Sequence, residues 1–166
     1  MRKLIRAISV RSVSLIAAAV LAATGLTVLL PGTAQAATSC NSFTNRSAWY
    51  ENLAGTKFLH IPSYGANTAN YNCVLGQGNR GIAVVVLQEA LWSCYGQNIA
   101  RDGDFGPITK EAVKNAQRRI NQIYPGRANL SVDGVFGPHT SSWMDFAVFD
   151  HANGGQISYG HCEVRH

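Results

Sequence analysis

The octapeptide Asp102-Gly-Asp-Phe-Gly-Pro-Ile-Thr109 returns 31 residues later as Asp133-Gly-Val-Phe-Gly-Pro-His-Thr140, with six of eight positions unchanged. A phrase spelled twice at that spacing implies one local structure built twice. In each copy Asp-Gly is a turn pair, because glycine accepts positive φ without steric cost. Phe105 or Phe136 is the apolar anchor that pins the loop to a core. Gly106-Pro107 and Gly137-Pro138 bend the chain again, which places Thr109 or Thr140 as a helix N-cap. The pattern predicts a helix from Lys110 to about Ile123, with Ala112, Val113, Ala116, Gln117 and Ile120 inward. Ile108 and Val113 occupy hydrophobic-staple positions, and Tyr124-Pro125-Gly126 ends the helix. The second copy predicts a shorter helix, about Ser141–Phe149, that buries Trp143, Met144 and Ala147.

A third helical pattern precedes both copies. In IAVVVLQEALWSCYG, Val84, Leu87, Gln88 and Leu91 recur at helical spacing, and Gly96 is the expected stop. The glycine-rich lead-in, residues 76–81, lacks the GKS/T ending of a phosphate loop. Two helices launched against a first give a mainly α fold, a small three-helix bundle with an internal loop–helix repeat. Residues 37–72 sustain no helical period and read as an irregular N-terminal arm, with one short strand near Lys57–Ile61. The expected organisation is a signal peptide (1–36), the arm (37–72), the three-helix domain (73–150) and a C-terminal tail (151–166).

The signal peptide rests on Arg2, Lys3, Arg6 and Arg11, followed by an uncharged, mostly apolar run of 18 residues from Val13 to Leu30. Pro31-Gly32 breaks the run, and Ala34-Gln35-Ala36 supplies a cleavage pattern; an uncleaved membrane anchor is the alternative. The full chain has 14 basic and 9 acidic residues. The first 36 residues hold four of the basic ones and no acid, so the mature chain would be nearly neutral. The high pI is therefore poor support for a nucleic-acid or anionic-membrane partner. Four cysteines, Cys40, Cys73, Cys94 and Cys162, read as two disulfides in a secreted chain. Of three pairings, Cys73–Cys94 with Cys40–Cys162 is preferred, the second stapling the termini, although sequence does not settle it. No cysteine–histidine spacing resembles a zinc site.

Catalytic sets are weak. Gly160-His161-Cys162, with Arg165 beyond it, has the wrong order for an L,D-transpeptidase signature, and Cys162 is expected to be bonded rather than nucleophilic. His151, His161 and His166 fit no zinc-peptidase spacing and read as solvated tail residues. Asp102 and Asp104 hint at calcium, but Gly106 and Pro107 stand where an EF-hand needs a ligand and a glycine. Asp102 and Asp133 are expected to accept hydrogen bonds within their own turns.

The ordered set G-x-x-V-x-x-L-Q-x-x-L, D-G-x-F-G-x-x-T-x-x-A-V-x-x-x-Q and D-G-x-x-G-x-x-T resembles the peptidoglycan-binding domain found beside bacterial cell-wall hydrolases and transpeptidases. This chain supplies Gly81, Val84, Leu87, Gln88 and Leu91, then Asp102, Gly103, Phe105, Gly106, Thr109, Ala112, Val113 and Gln117. Asp133, Gly134, Phe136, Gly137 and Thr140 complete it, and the match covers roughly residues 74–149. Asn72-Cys73 and Cys94-Tyr95-Gly96 also resemble the small secreted actinobacterial versions. Two departures stand out. Ala116 replaces the usual phenylalanine before the helix-two glutamine, and Gln117 to Asp133 is sixteen residues where the family has about eight.

The resemblance implies a secreted, non-catalytic protein that binds peptidoglycan glycan or stem peptide in a shallow groove. It implies no cofactor, no metal, no nucleic-acid partner, no membrane contact after cleavage, a monomer, and association with the cell wall. Sugar faces stack on aromatic rings, and acetamido or peptide groups take hydrogen bonds from Arg and Asn. The candidate contacts are Tyr95, Arg101, Arg118 and Tyr124, near helix ends and the insertion. The motif residues themselves read as scaffold. Two other readings stand beside this one: an interaction module that has lost wall binding, motivated by Ala116 and the insertion, and a small wall hydrolase, disfavoured because a catalytic domain is missing.

Overall fold

Ile82–Tyr95 forms α1, ended at Gly96, whose backbone N–H donates to the Leu91 carbonyl. Its burial goes beyond one stripe: Ala83, Val86 and Ala90 are shielded as well as Val84, Leu87, Gln88 and Leu91. A helix apolar on more than one side needs cover on more than one side. Here α2 (Pro107–Ile123) covers part of it, and a β-sheet covers the rest.

The computed structural model describes residues 37–49, 56–151 and 156–165; the expected signal peptide lies outside them. The sheet has four strands in the order β1 (Ser42–Ser47), β2 (Lys57–Ser63), β3 (Asp145–Asp150) and β4 (Gln156–Val164), all neighbours antiparallel. The expected mainly α three-helix bundle with an irregular arm is therefore overturned. The arm holds two strands, and the stretch expected as a tail holds a third. The helix expected over Ser141–Phe149 is a six-residue α3, Pro138–Trp143, followed directly by β3. The physical reason is in DFAVFD itself. Its β-branched and aromatic residues suit a pleated sheet, and pairing with β2 (Lys57 opposite Asp150, Phe58 opposite Phe149, Leu59 opposite Val148) satisfies the backbone there. Met144 is already extended. Local helical spacing lost to a long-range ladder.

Leu59 and Ile61 of β2, with Phe146 and Val148 of β3, join α1 and α2 in one buried cluster. Phe105 and Phe136 sit fully buried in it, and Phe136 meets Phe146 edge to face. Ala116, where the family has phenylalanine, is fully buried too, so the missing ring is a matter of core volume. The helix starts also differ from expectation. Gly106 and Gly137 are the N-cap residues, with Pro107 and Pro138 at the first helical positions, where a missing N–H costs nothing. Thr109 and Thr140 lie inside the helices, and Ile108 is exposed rather than stapled.

The disulfides are Cys40–Cys73 and Cys94–Cys162, which corrects the preferred pairing. Cys94 lies one residue from the end of α1, where β4 brings Cys162 to it. Cys40 instead lies beside Val74, to whose carbonyl its backbone N–H donates at 3.0 Å. Chain-entropy arguments give each loop, of sequence separation 33 and 68, about 4 kcal/mol.

Candidate functional site

Each repeated loop is held by a buried glutamine from the helix before it. Gln88 Nε2 donates toward Asp102 Oδ1 (2.9 Å), the Asp104 carbonyl (3.1 Å) and Thr109 Oγ1 (3.2 Å). Its Oε1 accepts from Gly103 N at 2.8 Å. Gln117 repeats the pattern with Asp133 Oδ1 (3.1 Å), the Val135 carbonyl (3.0 Å), Thr140 Oγ1 (3.2 Å) and Gly134 N (3.0 Å). An amide NH2 carries two hydrogens, so three acceptors share them in a partly bifurcated set. Asp102 Oδ1 also accepts from Asp104 N, and Asp133 Oδ1 from Val135 N. These Asp104 and Gln88 donors, in that order, hold the Asp102 carboxyl below its usual range. Thr109 and Thr140 donate back to the same carbonyls that the glutamines reach. The six residues expected as caps and turns are thus two copies of one closed network.

Backbone bonds then fasten each loop to the segment before α1. Gly81 N donates to Gly103 O and Phe105 N to Asn79 O; Leu75 and Phe136 exchange two bonds. Gly103 and Gly134 both have φ of 75°, the left-handed region that glycine enters freely. A side chain at Gly134 would also come within 2.8 Å of the Lys110 carbonyl oxygen.

The four expected ligand contacts fall in separate settings. Tyr95 is buried, and its hydroxyl accepts from Asp145 N at 2.8 Å. Burial, and then the Asp145 charge, push its pKa well above the usual tyrosine value. Arg101 donates to both oxygens of Glu89 (3.1 and 2.9 Å) and lies over the Trp92 ring, 4.5 Å from its centroid. Arg118 is held on the exposed side of α2 by Glu111 and Asn115. Tyr124 alone of the four lines a cleft of about 370 Å³, with Arg127, Ser142, Trp143 and Val164.

That cleft forms where the end of α2, α3 and β4 meet. The stretch between Gln117 and Asp133 supplies the end of α2 and the loop after it. Ile123 ends α2, Tyr124 to Arg127 turn, and Asn121 grips the returning chain through Leu130 N (2.7 Å) and O (2.8 Å). Ala128 and Leu130 are buried beneath it. Tyr124 and Trp143 pack at 5.2 Å, and the Arg127 guanidinium sits 5.9 Å from the Trp143 ring centre. Two aromatic rings and a planar cation around an open cleft can stack on a sugar or a planar amide and pair with a carboxylate. Sequence reasoning placed Trp143 in the core and passed over Arg127, Ser142 and Val164. The signal for Arg127 was its place in the insertion; Val164 is brought in only by the sheet.

Cys162 is bonded to Cys94 and is not a thiol nucleophile in this structure. Among the described residues, no group of three or more His, Cys, Asp and Glu could hold a metal ion, and no helix is long and apolar enough to cross a membrane.

Residues 80–144 match the family described as a putative peptidoglycan binding domain. The match contains both repeated loops, both clamping glutamines and Tyr124, Arg127 and Trp143. Among curated proteins, the type VI secretion system spike protein VgrG3 of Vibrio cholerae serotype O1 is 36% identical over 80 residues, covering 45% of this chain and 8% of its own. Among solved structures, a peptidoglycan-binding protein from Clostridioides difficile in complex with glutamine hydroxamate is 25% identical. It covers 59% of this chain and 53% of its own, with a TM-score of 0.36.

Proposed function

We propose that this protein binds peptidoglycan without cleaving it, and that the cleft between Tyr124, Trp143 and Arg127 is where it does so. The observation that carries the reading is the family match over residues 80–144, which takes in both Gln-clamped loops and four of the five cleft residues. The clamped loops serve as scaffold: their polar groups are spent on one another and hold α2 and α3 so that a cleft opens between them. Trp143 and Tyr124 stack on a sugar face or peptide plane, while Arg127 pairs with a carboxylate, a group that stem peptides carry. Two disulfides fit an extracytoplasmic protein. Arg101 and Arg118, already paired with Glu89 and Glu111, contribute less.

The test is co-sedimentation with insoluble murein sacculi, scored beside turbidity of the same suspension. Retention without clearing is expected, with at least a tenfold loss of affinity for Trp143→Ala and Arg127→Ala. Wild-type protein left wholly in the supernatant would make this an interaction module that has lost wall binding. Clearing of the suspension would make it a hydrolase.

A further inference from the structure

We infer that the occupant of the cleft is a short peptide ending in a free carboxylate, the peptide arm of peptidoglycan and not its sugar strand. The inference rests on the reading of the cleft given above and narrows it to one chemical class of ligand. Charge is the first observation. Among the described residues that line the cleft, Arg127 is the one charged group and none is an acid. Five arginines fall between residues 80 and 144. Arg80 sits on Asp104 at 2.9 Å, Arg101 on Glu89 at 2.9 Å and Arg118 on Glu111 at 2.6 Å. Arg119 and Arg127 make no ion pair with a described residue, and of these two Arg127 lines the cleft.

The acids next to the cleft in sequence are engaged elsewhere. Glu163 Oε2 accepts from Trp49 N at 2.6 Å, and the charge of Asp145 falls on the Tyr95 hydroxyl. The Arg127 guanidinium is thus left for a ligand. Its planar fork meets a carboxylate with two parallel bonds, the strongest pairing open to it. The backbone N–H of Arg127 donates to the Tyr124 carbonyl at 3.1 Å, so one turn holds the cation and the ring together.

A sugar strand asks for other partners. Its hydroxyls both donate and accept, so a glycan face is matched by side-chain carboxylates and amides. The described lining contains no Asp, Glu, Asn or Gln. What it contains suits a chain end. Ser142 Oγ already donates to the His139 carbonyl at 2.8 Å, which leaves it to accept from a peptide N–H. Tyr124 and Trp143, 5.2 Å apart and inclined at 47°, offer ring faces to a peptide plane. The guanidinium lies 5.9 Å from the Trp143 ring centre, so a carboxylate bonded to it leaves the adjoining peptide unit over the indole. Val164 gives a small side chain an apolar contact.

Calorimetric titration of the full chain, both disulfides formed, separates the ligand classes. The probes are N-acetyl-D-alanyl-D-alanine, the same dipeptide with its carboxyl amidated, and chitotriose as a neutral sugar strand. The acid should bind saturably, the amide at least tenfold more weakly, and chitotriose should not displace the acid. Arg127→Gln should bring the acid down to the level of the amide, whereas Trp143→Ala should weaken both. The wild type supplies a second measurement: raised salt should weaken binding of the acid and leave that of the amide unchanged. No binding of the acid, equal affinity for acid and amide, or tighter binding of chitotriose than of the acid would overturn the inference. The sacculi experiment judges the parent reading by itself. Sacculi that hold the protein and release it to chitotriose but not to the acid would keep wall binding and sink the peptide assignment. Binding of the acid without retention on sacculi would do the reverse.

Discussion

The two clamping glutamines show how much one buried amide can organise. Gln117 is 1% exposed and serves four partners. Gln117→Leu keeps the volume but strands Gly134 N and takes a donor from Thr140 Oγ1, an expected loss of about 2–4 kcal/mol in denaturant unfolding. The paired glycines rank differently. A Cβ at Gly134 would meet Lys110 Cγ at 2.6 Å and its carbonyl oxygen at 2.8 Å, whereas one at Gly103 meets Val85 Cγ2 at 3.0 Å. Both substitutions carry the left-handed penalty of about 1–2 kcal/mol, so Gly134→Ala should prove the more damaging of the two in the same unfolding measurement. Tyr95 supplies a pH dependence. Its ionisation is raised in the fold by burial and by Asp145, so the folded state keeps a proton that the unfolded chain gives up near pH 10. Its contribution is complete below that pH and is lost as pH climbs toward the raised value. Stability should fall above pH 10 in the wild type and fall less steeply in Tyr95→Phe, which also loses about 1 kcal/mol at neutral pH by leaving Asp145 N without its acceptor.

Among elements, α1 and β3 explain both what was legible and what was not. The apolar spacing and the stop of α1 were plain in IAVVVLQEALWSCYG, and its bounds follow from it. The same run carries Ala83, Val86 and Ala90 off the main stripe, which was the available sign that something besides two helices covers it. The segment DFAVFD reads equally as the end of a short helix; its strand identity comes from β2, nearly ninety residues earlier. Likewise Thr109 and Thr140 have the side chains of N-caps, yet proline at the first helical turn moved the start three residues upstream and left the threonines to the glutamine networks. The disulfide Cys94–Cys162 joins the end of α1 to β4. Replacing both cysteines by serine should cost about 4 kcal/mol, seen as a lower melting temperature with the sheet signal lost before the helical one.

At the scale of the molecule, the stretch that resembles the family is not the whole of the folded core. The four-stranded sheet is split in sequence, two strands before the helices and two after, and it covers the side of α1 that α2 leaves open. A fragment of residues 74–149 therefore loses β1, β2, β4 and three of the four disulfide cysteines, and it should show helical circular dichroism without a cooperative melting transition. A cooperative melt near that of the full chain would mean the sheet is dispensable. The candidate site divides the same way. Tyr124 was legible because it sits at a helix end beside an insertion; Trp143 looked like core because its neighbours are core; and Val164 joins them only through the sheet. The residues alone decided what depends on near neighbours: two identical turns, two anchored phenylalanines, three helices and an even set of cysteines, because φ preference, apolar spacing and proline act within a few positions. Strand identity, cysteine pairing and the cleft were decided by packing, because each joins groups dozens of residues apart whose meeting lowers the free energy only once the core has formed.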